Sequence, residues 1–377
     1  MKNKKAARSK SQEQHVNIVP DISIIDLSNP SAEEDTAAQE PEPDEDEDSS
    51  GISMHKIFII TLLALFAVLI LGLVYKFLTW GKVVDLDELF KNGLGSKDTS
   101  MYDLMLPLMD SEHQPVYKNY AEDTTILFLG NSPFSDDRES PDNVVNMIQG
   151  LTGATVYNCS VSGSYLAALN YTLDTVDYPM DIFNLYWLCQ LMVEDAVEQK
   201  YLDGVKTLGA DAPPEAMEVY NTLKGINFDD VDVITIMYDA SDYLAGHKTV
   251  LFANDTDIQT FAGNLEASIE LLRAAFPHIR IIVMSPTYAF GIDDDGEYIS
   301  SDIKDYGEGG LSMYVIWQSQ SCNVRSVTFV DHLYGTVNED NASEYLSDNL
   351  HLNLEGRKKV AQRFTDALNY FNHMAEQ

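Results

Sequence analysis

Asp348 and His351, three residues apart near the C-terminus, have the types and the spacing for acid–base chemistry. A carboxylate at this spacing can accept the Nδ1–H of the imidazole, which leaves Nε2 free to take a proton from a hydroxyl group. The pair therefore predicts proton transfer, and another part of the chain must supply the group that loses the proton.

Ser132 is the candidate nucleophile. It follows the apolar run 125–129 directly after Gly130 and Asn131, at a point where a helix could begin. Ligands of open parallel sheets bind at the carboxyl ends of the strands, and the first N–H groups of a helix can stabilise an oxyanion. A serine here can equally cap the helix, so the motif alone leaves both interpretations open.

Two more positions follow apolar runs. Gly163 lies after the run 154–157, where it could offer an unobstructed N–H to a ligand or simply form a loop. Ser241 and Asp242 belong to a polar cluster after the run 233–237, where they could contact a ligand or cap a helix. Both positions are expected at the same edge of the sheet as Ser132.

The elements that must position these residues follow from the apolar pattern. The predicted strands are 125–129, 154–157, 233–237, 279–284 and 327–330, and the predicted helices are 142–151, 180–198, 214–223, 258–276, 311–320 and 354–371. Nearly continuous apolar strands that alternate with helices indicate a parallel sheet covered on both faces. The sequence therefore predicts an α/β domain, a three-layer α/β/α arrangement with a five-stranded parallel sheet.

With these elements in place, residues 122–372 resemble an SGNH (GDSL-type) hydrolase, a family with a flavodoxin-like fold. Its members carry a Gly-Asp-Ser block, an isolated Gly, a Gly-x-Asn-Asp block and a final Asp-x-x-His block, in this order. The resemblance implies that Ser132 is the nucleophile, His351 the base and Asp348 its orienting partner. It also implies that the N–H groups of Ser132 and Gly163 are oxyanion donors.

Two blocks depart from the family pattern. Asn131 stands where the family has Asp, and residues 239–242 read Asp-Ala-Ser-Asp. Ser241 thus replaces an Asn whose side chain completes the oxyanion hole, and a serine hydroxyl is shorter and rotates freely. Loss of one such donor can lower turnover by about 10²–10³. A catalytically weak or inactive domain that binds a ligand therefore stays open beside an active esterase.

Residues 1–79 predict a membrane anchor. Residues 57–75 are 19 consecutive uncharged, mostly apolar residues, enough to span a bilayer core of about 30 Å. A signal peptide fits poorly because the run is long and begins after residue 55. We therefore expect a disordered acidic tail (1–55), a transmembrane helix (56–79), a stalk (80–120) and a hydrolase-like domain (121–377), with the tail cytoplasmic and the domain extracytoplasmic.

Composition excludes several classes of protein. Among 377 residues, 60 are acidic and 24 basic, for a formal net charge of −36, which argues against a nucleic-acid binder. Cys159, Cys189 and Cys322 lack metal-ligand spacing, so a disulfide scaffold and a zinc ribbon are excluded. We expect no metal and no cofactor, and the Asp-rich stretch 293–296 should be a solvated hairpin tip rather than a calcium loop.

The sequence therefore predicts a membrane-anchored serine esterase or acyltransferase that works through an acyl-enzyme. The resemblance and the anchor favour O-acyl groups, acetyl groups included, on cell-envelope glycans, or another small ester. The alternative is a catalytically inactive glycan-binding or scaffold protein of the membrane. In both cases the acidic tail could bind a cytoplasmic partner.

Overall fold

The five apolar runs form one parallel sheet. The computed structural model describes Ile70 and residues 103–110, 112 and 114–375. In this part of the chain the strands are β1 (Leu108–Met109), β2 (Pro115–Val116), β3 (Thr125–Gly130), β4 (Thr155–Asn158), β5 (Val233–Met237), β6 (Arg280–Met284), β7 (Gly291–Ile292), β8 (Tyr298–Ile299) and β9 (Thr328–Val330). The main sheet has the order β4-β3-β5-β6-β9, and every neighbouring pair in it is parallel. The predicted five-stranded parallel sheet is confirmed.

Helices cover the sheet. In the described chain they are α1 (Ser132–Ser135), α2 (Val144–Thr152), α3 (Leu185–Val193), α4 (Glu198–Leu208), α5 (Ala216–Gly225), α6 (Ser241–Leu244), α7 (Phe261–Ala275), α8 (Leu311–Arg325), α9 (His332–Gly335), α10 (Ala342–Tyr345), α11 (Leu354–Leu368) and α12 (Asn372–Ala375). α2 packs against α11, while α7 packs against α3 and α8. All residues of β5 and β6 are buried, so both faces of the sheet are covered.

The strand ends bring the candidate residues to one edge. β3 and β5 are neighbours in register from Ile126 opposite Val233 to Gly130 opposite Met237. The loops that follow β3 and β5 therefore leave the sheet side by side, and the loop after β4 leaves beside them because β4 pairs with β3. This edge carries Ser132, as the sequence predicts.

The prediction of one helix over residues 180–198 is wrong. A 3₁₀ turn at Pro179–Phe183 ends at Asn184, whose side chain accepts the N–H of Trp187 and so begins α3. The extended backbone of Glu194 then ends α3 before a second 3₁₀ turn leads into α4. Continuous apolar spacing hid both breaks, because a capping side chain interrupts a helix without changing its hydrophobic pattern.

Part of the predicted stalk lies against the domain. Leu104 forms a β-bridge with Phe329 of β9, and the Asp103 carboxylate accepts hydrogen bonds from Arg363 of α11 at 2.9 and 3.0 Å. Apart from Ile70, the predicted tail, the predicted membrane helix and residues 80–102 lie outside the described residues. Within the described part of the chain, no helix is both long enough and apolar enough to cross a membrane.

The predicted hairpin tip at 293–296 is confirmed. The Asp-rich stretch 293–296 turns between β7 and β8, where the Asp293 carboxylate accepts the N–H groups of Asp295 and Glu297 at 3.0 and 2.8 Å. Cys159 and Cys189 are free, fully buried thiols in the apolar core.

Candidate active site

Gly130 allows the tips of β3 and β5 to approach closely. It has a positive φ of 156°, and a Cβ atom at this position would collide with the backbone carbonyl oxygen of Met237. The chain then turns at Asn131 into the short helix α1, whose first residue is Ser132. The Ser132 side chain lies at the strand tip with only 7% of the residue exposed.

Asn131 holds three strand tips together. Its amide nitrogen donates to the Ser164 carbonyl oxygen at 2.9 Å and to Asp239 Oδ1 at 2.8 Å. Its amide oxygen accepts the backbone N–H of Asp239 at 2.8 Å. A carboxylate could not make the first two contacts because it carries no donor. Asn131, where the resembled family has Asp, therefore supplies the donors that Ser164 and Asp239 accept.

Asp239 contacts the candidate nucleophile, a contact that sequence reasoning missed. Its Oδ2 accepts the hydroxyl proton of Ser132, and its Oδ1 also accepts the N–H of Ser241 at 2.9 Å. Only 4% of Asp239 is exposed. The available signal was its place in the polar cluster that follows β5, but the type of residue alone does not show which way its carboxylate turns.

The predicted pairing of Asp348 with His351 is present. His351 Nδ1 lies 2.7 Å from Asp348 Oδ2, and Asp348 Oδ1 accepts the N–H groups of His351 and Leu350 at 2.7 and 2.8 Å. Burial alone would raise the pKa of Asp348, but these hydrogen bonds and the imidazole charge hold it below its ordinary value. Asp348 is thus kept ionised and aimed at Nδ1, with Nε2 left for a proton.

His351 is close to the nucleophile region but is not bonded to it. Burial would lower the pKa of His351, yet the hydrogen bond to Asp348 and the charges of Asp136, Asp348 and Asp239 outweigh burial and raise it. Asp136 follows α1 directly, and Asp239 touches Ser132, so carboxylates on both sides of Ser132 act on the charge of the imidazole. Among the described residues no hydrogen bond joins Ser132 to His351; the Ser132 hydroxyl donates to Asp239.

The two backbone donors of the predicted oxyanion hole are unbonded. Neither the Ser132 N–H nor the Gly163 N–H donates to another group of the described residues. Gly163 has a positive φ of 69°, and a Cβ atom here would meet nothing within 4 Å. The contact of Asn131 with Ser164 holds this loop beside α1. Unpaired backbone donors near a hydroxyl group are what an oxyanion hole requires.

Ser241 and Asp242 differ in what they contact. Ser241 begins α6; its N–H is taken by Asp239, while its hydroxyl makes no hydrogen bond within the described residues. Asp242 is buried and accepts the N–H groups of Leu166 and Ala167 at 2.8 and 3.1 Å and also pairs with His247 at 2.9 Å. Asp242 therefore fixes the loop after Gly163, and a role for Ser241 in the oxyanion hole stays a prediction.

A cavity of about 530 Å³ lies beside α1, where it reaches Ser135 and Ser162. Ser132, Gly163 and His351 are not among the residues that line it. Every lining residue except Pro214 is polar or charged; the full set is Ser135, Asp137, Arg138, Glu139, Ser140, Ser162, Pro214, Glu215 and Glu218. Within the described residues, no group of three or more His, Cys, Asp or Glu side chains could hold a metal ion.

No protein-family model matches the sequence, and no curated protein matches it. Several solved structures are similar to the chain. A carbohydrate acetylesterase from Sinorhizobium meliloti is 12% identical, covers 64% of this chain and 97% of its own, and has a TM-score of 0.36. A family two carbohydrate esterase from Clostridium thermocellum, solved with cellohexaose, is 16% identical, covers 68% and 66%, and has a TM-score of 0.38.

A protein from Lactobacillus plantarum is 14% identical, covers 67% of this chain and 99% of its own, and has a TM-score of 0.45. With TM-scores below 0.5, these similarities add nothing to what the strand order and the site geometry show.

Proposed function

We propose that this protein is a serine esterase of the SGNH type. The observation that carries the proposal is the Asp348–His351 pair at the rim where Ser132 lies beside two unbonded backbone N–H groups. A nucleophile, an oriented base and donors for a developing negative charge are the parts that acyl transfer needs. None of these parts requires a metal or an organic cofactor.

The reaction begins when the Ser132 hydroxyl turns from Asp239 to Nε2 of His351. Its oxygen attacks the ester carbonyl carbon while the proton moves to the imidazole. The N–H groups of Ser132 and Gly163 stabilise the oxyanion of the tetrahedral intermediate. The imidazolium, held by Asp348, then gives its proton to the departing alcohol, which leaves an acyl group on Ser132.

The acyl group then passes to water or to another hydroxyl group. His351 takes the proton of the incoming nucleophile and returns it to Ser132 when the second tetrahedral intermediate collapses. Hydrolysis and transfer differ only in which molecule attacks the acyl-enzyme, so an esterase and an O-acyltransferase share this site. We propose hydrolysis, with transfer as the variant in which a sugar hydroxyl replaces water.

The cavity supports a polar alcohol as the leaving group. Eight of its nine lining residues are polar or charged, and such side chains can bind the hydroxyl groups of a sugar. The proposed substrate is therefore an O-acylated glycan, with the acetyl group as the simplest acyl group. The predicted membrane helix and cytoplasmic tail would place the domain outside the cell, next to envelope glycans.

A fluorophosphonate probe tests the proposed nucleophile. The full-length protein should react covalently with the probe, and Ser132→Ala should abolish the labelling while it leaves the thermal unfolding temperature within a few degrees. Ser135→Ala is the matched control, because Ser135 lies in the same helix and is as deeply buried as Ser132. Labelling that survives in Ser132→Ala would contradict the proposed nucleophile.

A catalytically inactive, glycan-binding protein is the second candidate. The hydrogen bond from Ser132 to Asp239 favours this candidate, because it directs the hydroxyl proton of Ser132 to Asp239 and away from His351. A folded protein that binds acetylated glycans but never reacts with the probe would support this candidate.

The proposed topology has its own test. Protease added to intact cells should remove the C-terminal domain and spare an epitope placed in the first 55 residues. Protection of the domain would reverse the orientation.

The proposed cytoplasmic partner of the acidic tail has a separate test. Deletion of residues 33–48 should abolish binding of this partner.

A further inference from the structure

The carboxylate of Asp239 and the imidazole of His351 compete for one proton. A serine hydroxyl carries a single hydrogen, so Ser132 can donate to only one acceptor at a time. In the structure that acceptor is Asp239 Oδ2. The attack described above requires the other acceptor, His351.

The environment of Asp239 fixes its carboxylate. Oδ1 accepts from Asn131 Nδ2 at 2.8 Å and from the Ser241 N–H at 2.9 Å, while Asn131 also accepts the Asp239 N–H. Oδ2 accepts only the Ser132 hydroxyl among the described residues. The carboxylate therefore cannot rotate away from Ser132 without breaking two hydrogen bonds.

We infer that Asp239 is a further catalytic residue, one that restrains the nucleophile by holding its proton away from His351. The inference rests on the proposed function, because it concerns the same Ser132. A hydrogen bond to a charged group is strong enough to shift an equilibrium by about tenfold to a hundredfold. Only a minor fraction of the protein then has its hydroxyl turned to the base.

The same carboxylate also opposes the later charge. When Ser132 attacks, a negative oxyanion forms beside the nucleophile, and the negative charge of Asp239 lies next to it. Like charges in a buried site repel strongly. Both effects lower the reaction rate and both disappear when the carboxylate becomes an amide.

Asp239→Asn reverses the polarity of the contact. The N–H groups of Asn131 and Ser241 keep an oxygen acceptor at the Oδ1 position, so the new amide nitrogen must take the Oδ2 position. There it donates to the Ser132 oxygen and leaves the hydroxyl proton for His351. The same amide nitrogen can also donate to the oxyanion.

The test compares labelling rates of full-length variants with a fluorophosphonate and hydrolysis rates with p-nitrophenyl acetate. Asp239→Asn should react about tenfold or more faster than the wild type, and the gain should vanish in the double variant with Ser132→Ala. Asp123→Asn is the charge-matched control. Asp123 is exposed and lies just before the start of β3, at the opposite end of this strand from Ser132, so the variant should react at the wild-type rate.

Asp239→Ala is a second variant, which keeps the test valid if Asp239→Asn fails to fold. It removes the acceptor without adding a donor, so a smaller gain is expected. If the wild type reacts at Ser132 and neither folded variant reacts faster, the inference is overturned while the proposed function stands. A loss of reactivity in Asp239→Asn would instead make Asp239 an aid to the reaction and would also overturn the inference. If neither the wild type nor either Asp239 variant reacts, both the proposed function and this inference fail.

Discussion

Three carboxylates raise the pKa of His351, each from a different position. Asp348 bonds to Nδ1, Asp239 touches Ser132, and Asp136 follows α1. Burial disfavours the charged imidazole, but these three groups together favour it and raise the pKa of His351 above its ordinary value. The base is thus well oriented, and it becomes neutral only at a higher pH than an isolated histidine.

Asp136→Asn should move the pH dependence of activity. The base must be neutral to accept a proton, so kcat/KM rises with pH through the pKa of His351 in the free enzyme. Removing the Asp136 charge lowers this pKa, and the acid limb of the profile should shift to lower pH. The measurement is kcat/KM for p-nitrophenyl acetate between pH 5 and pH 9. A shift to higher pH would contradict the proposed role of His351.

Replacement of Gly163 and of Gly130 by alanine should lower the stability of the protein to different extents. At Gly163 only the positive φ is unfavourable, so Gly163→Ala should lower the free energy of unfolding by roughly 1–2 kcal/mol. At Gly130 the added Cβ meets the backbone of β5, so Gly130→Ala should be destabilised far more strongly or fail to fold. Urea denaturation compares the two. Equal losses would mean that the strand tips are not as close as described.

At the scale of elements, the loop before α11 positions the base. Ser347 donates its N–H to the His351 carbonyl oxygen at 2.8 Å, and Leu346 forms a β-bridge with Leu352. Asn353 then caps α11 by accepting the N–H groups of Glu355 and Gly356 at 3.0 and 3.1 Å. The cap and the bridge together hold the imidazole at the rim.

Asn353→Ala should affect both stability and turnover. Loss of an N-cap typically lowers the free energy of unfolding by about 1 kcal/mol. The amide also donates to the Glu344 carbonyl oxygen at 2.8 Å, so its loss should loosen the loop that carries His351. We expect a lower kcat together with the lower stability in urea. Asn353→Asp keeps the cap and should recover most of the stability.

Much of this element order was predictable. β3, β5 and β6 are mostly apolar runs of five or six residues that lie in the interior of the sheet, where burial favours apolar side chains; the buried Arg280 of β6 is an exception. The capped breaks at Asn184 and Glu194 were not predictable from hydrophobic spacing. The contact of Ser132 with Asp239 was also hidden, because residues 107 positions apart meet only through the pairing of β3 with β5.

At the scale of the whole molecule, the segment before the sheet is tied to α11. The carboxylate of Asp103 accepts from Arg363 and also from the backbone N–H of Asp331 at 2.9 Å. Burial raises the pKa of Asp103, although Arg363 and the N–H of Asp331 act in the opposite direction. This contact joins the chain that enters the domain to both β9 and α11.

Asp103→Ala should therefore destabilise the domain. Loss of the hydrogen bonds to a charged group should lower the free energy of unfolding by about 2 kcal/mol. The measurement is urea denaturation followed by tryptophan fluorescence. Glu112→Ala, an exposed acidic residue of the same segment, is the control and should change stability by less than about 0.5 kcal/mol.

The most direct test of the account is to find the acyl group after a single turnover. Full-length protein mixed with p-nitrophenyl acetate and quenched early should carry one acetyl group, and peptide mapping by mass spectrometry should place it on Ser132. The acetyl-enzyme should not form in His351→Ala. An acetyl group on a residue other than Ser132 would contradict the account. Steady hydrolysis by the Asp239→Asn variant without acetylation of Ser132 would also contradict it.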